Sequence, residues 1–181
     1  MSSANVKSAK DRIIDVAGPL FYREGYRAIG VDRVIAEASV AKATFYNHFP
    51  AKDDLIVAWI EKAEASANVN LPPADGPAPL YAYADHMIAI AHKPWCMGCT
   101  YQGTAAEFKD EAHPAHAAAI KIKSRTLAEL ELRAENQKAK NPRKTAELVY
   151  LLLEGMWVSV RMFGSNAPIS HVKDAVRKVF D

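Results

Sequence analysis

The sequence is poor in the residues that announce a stapled, secreted or phosphate-cradling protein. It has two cysteines, Cys96 and Cys99, and its opening, MSSANVKSAKDR, contains no apolar signal-peptide core. Neither secretion nor a disulfide framework is expected, and a reducing, cytoplasmic setting is. There is no Gly-rich phosphate loop, no Ser/His/Asp order and no paired-carboxylate motif, so nothing supports an enzyme. No segment sustains the alternation of β-branched and polar residues that marks strands. The longest apolar run, Leu148 to Val160, is interrupted by Glu154 and is read as too short and too polar to span a bilayer. Internal repeats are absent, and the only compositional bias is an abundance of alanine.

What remains is an ordinary soluble composition, 50% hydrophobic and 24% charged, in a chain long enough for one large domain or a small module joined to a larger one. The net charge of +2 is unevenly spread. Residues 1–52 carry eight Lys and Arg against five Asp and Glu, a surplus of +3, and the rest carries fifteen against sixteen. A mildly basic head on a neutral body is compatible with nucleic-acid binding.

The chain reads as helical almost throughout. Ile13, Ile14, Ala17, Leu20 and Phe21 mark one face of a first helix, with Gly25 as its stop and Pro19 as an expected bend. Short helices follow at about Val31–Ala38, with Val34 and Ile35 inward, and Lys42–Phe49. A longer one starts near Lys52 and reaches about Asn68. LPPADGPAP, Leu71 to Pro79, is a loop by its Pro and Gly content. Further helices are expected at Leu80–His92, Gly103–Phe108, Ala115–Lys138, Arg143–Phe163 and Ser170–Val179, about nine in all.

One stretch, VIAEASVAKATFYNHFPAKDDL, concentrates polar residues that a solvated helix face alone would also accommodate. Two helices meet at the turn Ser39-Val40-Ala41. On the second, Phe45 and Phe49 share an inward face, which leaves Lys42, Ala43, Tyr46 and Asn47 on the other side. That is a helix-turn-helix layout. Asn47 can pair bidentately with adenine in the major groove, Lys42 can donate to guanine acceptors, and Ala43 can touch a thymine methyl. Thr44, Tyr46 and His48 can donate to phosphates, which sets register more than sequence choice. Lys52, at the start of the next helix, adds a charge beside free backbone N–H groups that favour an anion.

The order Phe21, Gly25, Tyr26, Val31, Val34, Ile35, Ala38, Val40, Thr44, Phe45, Tyr46, His48, Phe49, Lys52, Leu55 resembles the DNA-binding domain of the tetracycline-repressor (TetR) family of transcriptional regulators. The resemblance covers Arg12 to about Leu55. It implies an all-α fold with two parts: a three-helix DNA-binding domain over residues 1–55, and a larger helical domain over residues 56–181 that binds a ligand and dimerises. Two positions depart from the family pattern: Ser39 stands where Gly is usual, and Ala41 where Ser often caps the reading helix. Losing a hydroxyl cap costs roughly 1 kcal/mol, so that helix is expected to fray at its start and Thr44 to take more of the phosphate contact.

The same resemblance implies a dimer built by the last two helices. Leu148, Leu152, Gly155, Ser159 and Met162, with Val172 and Val176, are the candidate positions. Two reading helices would then lie about one DNA turn apart, roughly 34–36 Å. Candidate pocket residues are Tyr83, Met87, Trp95, Cys99, Tyr101, Phe108, Glu154 and Trp157, although core packing accounts equally well for the large ones. Glu154, in an apolar helix, needs a partner: Arg161, a pocket side chain or a cationic ligand. The stretch CTYQGTAAEF resembles a subset of the family with Gly-Cys before a short sixth helix and Glu-Phe ending it.

Cys96-Met97-Gly98-Cys99 lacks the βαβ setting of a thioredoxin motif, and the histidines form no tight ligand pattern for zinc. No metal and no cofactor are expected. The sequence thus points to a homodimeric, ligand-responsive repressor of an operator in double-stranded DNA, with a small-molecule effector. The alternative is a thiol-based redox-sensing regulator or oxidoreductase using Cys96 and Cys99.

Overall fold

The computed structural model describes residues 7–180; residues 1–6 of the expected first domain, and Asp181, lie outside the described residues. Among the described residues there are nine α-helices, one 3-10 turn and no strand: α1 Ala9–Glu24, α2 Val31–Glu37, α3 Lys42–His48, α4 Lys52–Ala67, α5 Pro79–Ala91, α6 Thr100–Glu107, α7 Pro114–Asn136, α8 Pro142–Phe163, the turn Gly164–Asn166, and α9 Val172–Phe180. The expected boundaries hold to within a few residues. The chain divides into two compact units, one comprising the chain up to Ala63 together with Gln102–Ala119, the other Glu64–Tyr101 and Ile120 onward.

In the first unit, Ser8 starts α1 by accepting from the Asp11 N–H at 3.1 Å, a hydroxyl cap on an otherwise free donor. Gly25, at φ 87°, ends it, with its N–H on the Phe21 carbonyl. A residue with a Cβ would be strained in that left-handed region. Ile13, Ile14, Ala17, Leu20 and Phe21 are buried as the periodicity requires. Pro19 lies inside the helix and denies the Asp15 carbonyl its helical partner. α2 and α3 have seven residues each, too few to be stable alone. They are held by what they bury: Val34 and Ala38 from α2, Phe45 and Phe49 from α3 and its end. Ile35 is only half-buried.

The second unit is a helical bundle with one apolar core, built mainly from Leu80, Tyr83, Ala84 and Met87 of α5, Leu130 and Ala134 of α7, Val149, Leu153, Met156 and Val160 of α8, and Val176 of α9. Its long loop is pinned by a buried cation. Arg133 is 2% exposed, yet its guanidinium donates to the carbonyls of Pro79 at 3.1 Å and Pro72 at 2.8 Å and to Glu129 at 2.7 Å, and it lies over the Tyr83 ring. A buried charge is tolerated where its donors are met in this way. The start of α5 has no side-chain cap of its own at Ala78; Gln137 supplies one, its Oε1 accepting from the Leu80 N–H at 3.0 Å.

The stretch Pro142–Asn166 is long and apolar enough to cross a membrane by length and composition, which the shorter run read from sequence did not suggest. It packs one face into the core of the second unit and leaves a second apolar face outward: Thr145, Ala146, Val149, Leu153, Met156 and Val160 are buried, while Leu151, Val158, Met162 and Phe163 are exposed.

α1 meets α4 through a close approach. A Cβ placed on Gly18 would fall 2.3 Å from the ring carbons of Trp59, well inside contact distance. Gly18→Ala is therefore expected to destabilise the protein by about 1–3 kcal/mol through overpacking, despite alanine's better helix propensity. A urea titration would read this as a lower midpoint at unchanged slope.

Candidate DNA-binding surface and a buried polar cluster

α3 sorts its side chains as a groove-reading helix must. Phe45 is fully buried and Phe49 is 2% exposed, their ring centroids 5.9 Å apart. Lys42, Ala43, Tyr46, Asn47 and His48 are exposed together, with Thr44 and Lys52 half-buried at the edge. The Tyr46 ring stands edge-on to Phe45 at 5.3 Å, which orients its hydroxyl outward from a rigid base. Lys42 makes an ion pair with Asp32 at 3.3 Å, both side chains well exposed. Such a pair contributes little in water, so the ammonium can exchange Asp32 for a phosphate at small cost.

The turn between the helices carries both departures from the family pattern. Ser39 has φ 51°, the left-handed region that glycine occupies most easily. Ala41 is the N-cap of α3 and provides no side-chain hydrogen bond. The start of α4 is less anion-friendly than its free N–H groups suggest, because Asp54 already accepts from the Ala51 N–H at 2.8 Å and Asp53 also lies in the first turn. Burial lowers the pKa of Lys52, against the charges of Glu107 and Asp53.

Sequence reasoning did not find two ties that hold this head together. Arg33 of α2 grips the Glu24 carboxylate with two donors at 2.7 and 2.9 Å and adds Glu37 at 2.8 Å, joining α2 to the end of α1. Glu107, from α6, accepts from the backbone N–H groups of Tyr26 and Arg27. Neither link was legible, since Glu24 is nine positions from Arg33 and Glu107 some eighty from Tyr26 and Arg27.

In the second unit, Glu154 finds Lys123 of α7, and both side chains are largely buried. The Lys123 ammonium also lies over the rings of Tyr101 at 5.6 Å and Tyr150 at 5.7 Å. Burial works against that ammonium, but the neighbouring Cys99, Glu154 and Tyr150 outweigh it and leave its pKa above the ordinary lysine value. Tyr83, beside the same group, is pushed up to about 12 by burial. Arg161 donates to the Cys99 carbonyl at 2.5 Å.

Of the candidate pocket residues, Cys99, Tyr101, Tyr83 and Glu154 thus surround one lysine that the sequence did not single out. Met87 is in the core and Trp157 packs against it. Trp95 is 63% exposed. Phe108 belongs to the first unit, where it stacks on His113 at 4.2 Å. Of the candidate interface residues, Leu148, Gly155 and Met162 are exposed and Leu152, Ser159 and Val172 half-exposed, but Val176 is in the protomer core. Leu148, Leu151, Leu152, Ala175, Lys178 and Val179 line an open groove of about 410 Å³ between α8 and α9.

A helix-turn-helix head with an exposed reading face, carried in an all-helical chain of this length, defines a class of helical DNA-binding regulators. The sequence pattern of the bacterial regulatory proteins, tetR family, matches residues 13–59. The Tn10 TetC protein of Escherichia coli is 37% identical over 54 residues, 30% of this chain, and the match spans 27% of that protein's length. Whole-chain likeness comes from solved structures. A TetR-family transcriptional regulator from Streptomyces coelicolor superposes with a TM-score of 0.83 at 28% identity, over 95% of this chain and 94% of that one. A TetR-type regulator from Streptomyces avermitilis gives 0.83 and 28%, over 96% of each chain. Residues 13–59 thus match the tetR-family segment, and the chain as a whole shares the fold of TetR-family regulators.

The uncapped start of α3 yields a direct expectation. Ala41→Ser restores a hydroxyl to the N-cap, and is expected to stabilise the protein by about 1 kcal/mol. Thermal unfolding at fixed protein concentration would show it as a higher Tm.

Proposed function

We propose that this protein is a homodimeric transcriptional repressor that binds a two-fold operator in double-stranded DNA and releases it when a small molecule binds. The observation that carries the DNA-binding part is the exposed face of α3. Lys42, Ala43, Tyr46, Asn47 and His48 point outward from a helix whose other side is anchored by Phe45 and Phe49. Thr44 and Lys52 flank that face and suit phosphate contacts. The division of labour is that of residues 1–55 for DNA and 56–181 for ligand and partner.

Dimerisation is supported by the second apolar face of α8. Leu151, Val158, Met162 and Phe163 are 44–70% exposed, and the groove with α9 continues that surface. A second copy of the same chain is the occupant that places two reading helices on one operator, as affinity for a palindrome requires. The effector site is the cluster of Lys123, Glu154, Tyr101, Tyr150, Tyr83 and Cys99, where a few polar handles sit among buried aromatic groups. A ligand there acts as inducer only by favouring a state that fits the operator less well. The thiol-sensing alternative draws no particular support, since Cys96 and Cys99 are both buried and not joined in a disulfide. A soluble, cytoplasmic location follows from the regulator reading.

Fluorescence anisotropy on duplexes from the DNA flanking its gene, against scrambled duplex and across a salt series, tests the central reading. Specific binding that weakens steeply with salt is expected. Asn47→Ala is expected to lose about 1–3 kcal/mol and to relax discrimination at one base pair. Equal binding to every duplex would refute it. For the dimer, Leu151→Glu puts a charge in the middle of the α8 face. Sedimentation is expected to show a dimer for the wild type and a folded monomer for the variant; a wild-type monomer at micromolar concentration would rule the interface out.

A further inference from the structure

The reading helices of this protein are positioned from outside the helix-turn-helix segment. α2 is short, with seven residues and an N-cap, Gly30, that offers no side-chain hydrogen bond, and beside the Arg33 tie to Glu24 little fixes its start. Its placement therefore depends on the loop that delivers it, Gly25 to Gly30, and on what holds that loop. Residues of α6 hold it. The Glu107 carboxylate accepts from two successive backbone N–H groups, Tyr26 at 3.0 Å through Oε2 and Arg27 at 2.5 Å through Oε1. The Tyr26 hydroxyl pairs with that of Thr104 at 2.7 Å in a buried setting. Phe108 packs on the Tyr26 ring at 5.5 Å and lies under the Arg27 guanidinium, with His113 stacked on it and paired to Asp53 of α4.

A carboxylate bridging consecutive N–H groups is a charge-assisted clamp with fixed geometry. It also excludes bulk at its target: a Cβ on Gly25 would come within 3.3 Å of Oε2. We propose that Glu107 is a positioning residue for operator recognition, holding the α1–α2 loop so that α2 and α3 meet the DNA in register. The proposal rests on the DNA-binding reading above and adds a residue that lies beyond the family's matched segment, residues 13–59.

The sign of the effect separates this role from simple electrostatics. Glu107 is close enough for its charge to act on Lys52, so removing that charge should by itself raise affinity for any duplex. A positioning role predicts the opposite for the operator. The test uses full-length protein, with a duplex selected from a genomic pool by the wild type, and with a scrambled duplex as control. Glu107→Gln keeps the size of the side chain but turns an amide N–H₂ toward one of the two N–H groups. Its operator affinity is expected to fall roughly tenfold, with scrambled-duplex affinity unchanged or higher. Amide hydrogen exchange at Tyr26 and Arg27 should quicken, all well below the Tm. Thr104→Val, which removes the hydroxyl pair at near-constant shape, should shift the operator-to-scrambled ratio the same way by less, and decides the matter if Glu107→Gln does not fold. A lower Tm with an unchanged ratio in the folded variant would overturn the positioning role and leave the DNA-binding reading standing. A wild type that prefers no duplex in the pool would overturn both.

Discussion

The burial of Phe45 and Phe49 is the constraint from which the rest of the helix-turn-helix head follows. A seven-residue helix has no stability of its own, so α3 exists because these two rings, one turn apart, fill the space beside α1 and α2. Each fully buried aromatic ring contributes roughly 1.5–3 kcal/mol by area alone. Once that face is committed inward, rotation of the helix about its axis is fixed, and the outward set Lys42, Ala43, Tyr46, Asn47 and His48 needs no further arrangement to be presented as a group. The local chemistry of the turn works slightly against this, with Ser39 in a left-handed conformation and Ala41 unable to cap. The packing outweighs both.

The two units handle buried charge differently. In the head, charges are used at the surface as ties: Arg33 on Glu24 and Glu37, Lys62 on Asp15 at 2.6 Å. In the second unit, two cations are inside. Arg133 is spent on structure, with its donors distributed over loop carbonyls and a carboxylate. Lys123 is different in kind: among the described residues its ammonium meets the Glu154 carboxylate, the rings of Tyr101 and Tyr150, and the nearby Cys99.

The helices were legible from sequence because Pro, Gly and apolar spacing agree with one another along most of the chain. The outward face of α3 was legible for the same reason, as the positions of Phe45 and Phe49 decide which residues are exposed. What escaped was everything that joins residues distant in the chain. Glu154 was recognised as needing a partner, but Lys123 lies 31 positions away on another helix, and Arg161 on the same helix was the nearer guess. α8 shows a second limit. It has two apolar stripes, and periodicity alone does not say which faces inward; Leu148 and Met162 were found on the outer one, Leu151 and Val158 were not. Val176, read as an outer residue, is sealed in the core.

The three tryptophans occupy three environments. Trp95 is 63% exposed. Trp157 packs against the core of the second unit. Trp59 lies against Gly18, with its indole N–H buried and without a hydrogen-bond partner among the described residues. A dry indole emits at shorter wavelength than a wet one, and an aqueous quencher reaches only the wet one. The protein therefore carries its own optical labels: the red, quenchable emission of Trp95 belongs to the second unit, and with Trp157 replaced by Phe the remaining blue component, from Trp59, reports whether α1 and α4 remain packed. Disassembly of the head can be followed in unlabelled protein, separately from events around the turn that carries Trp95.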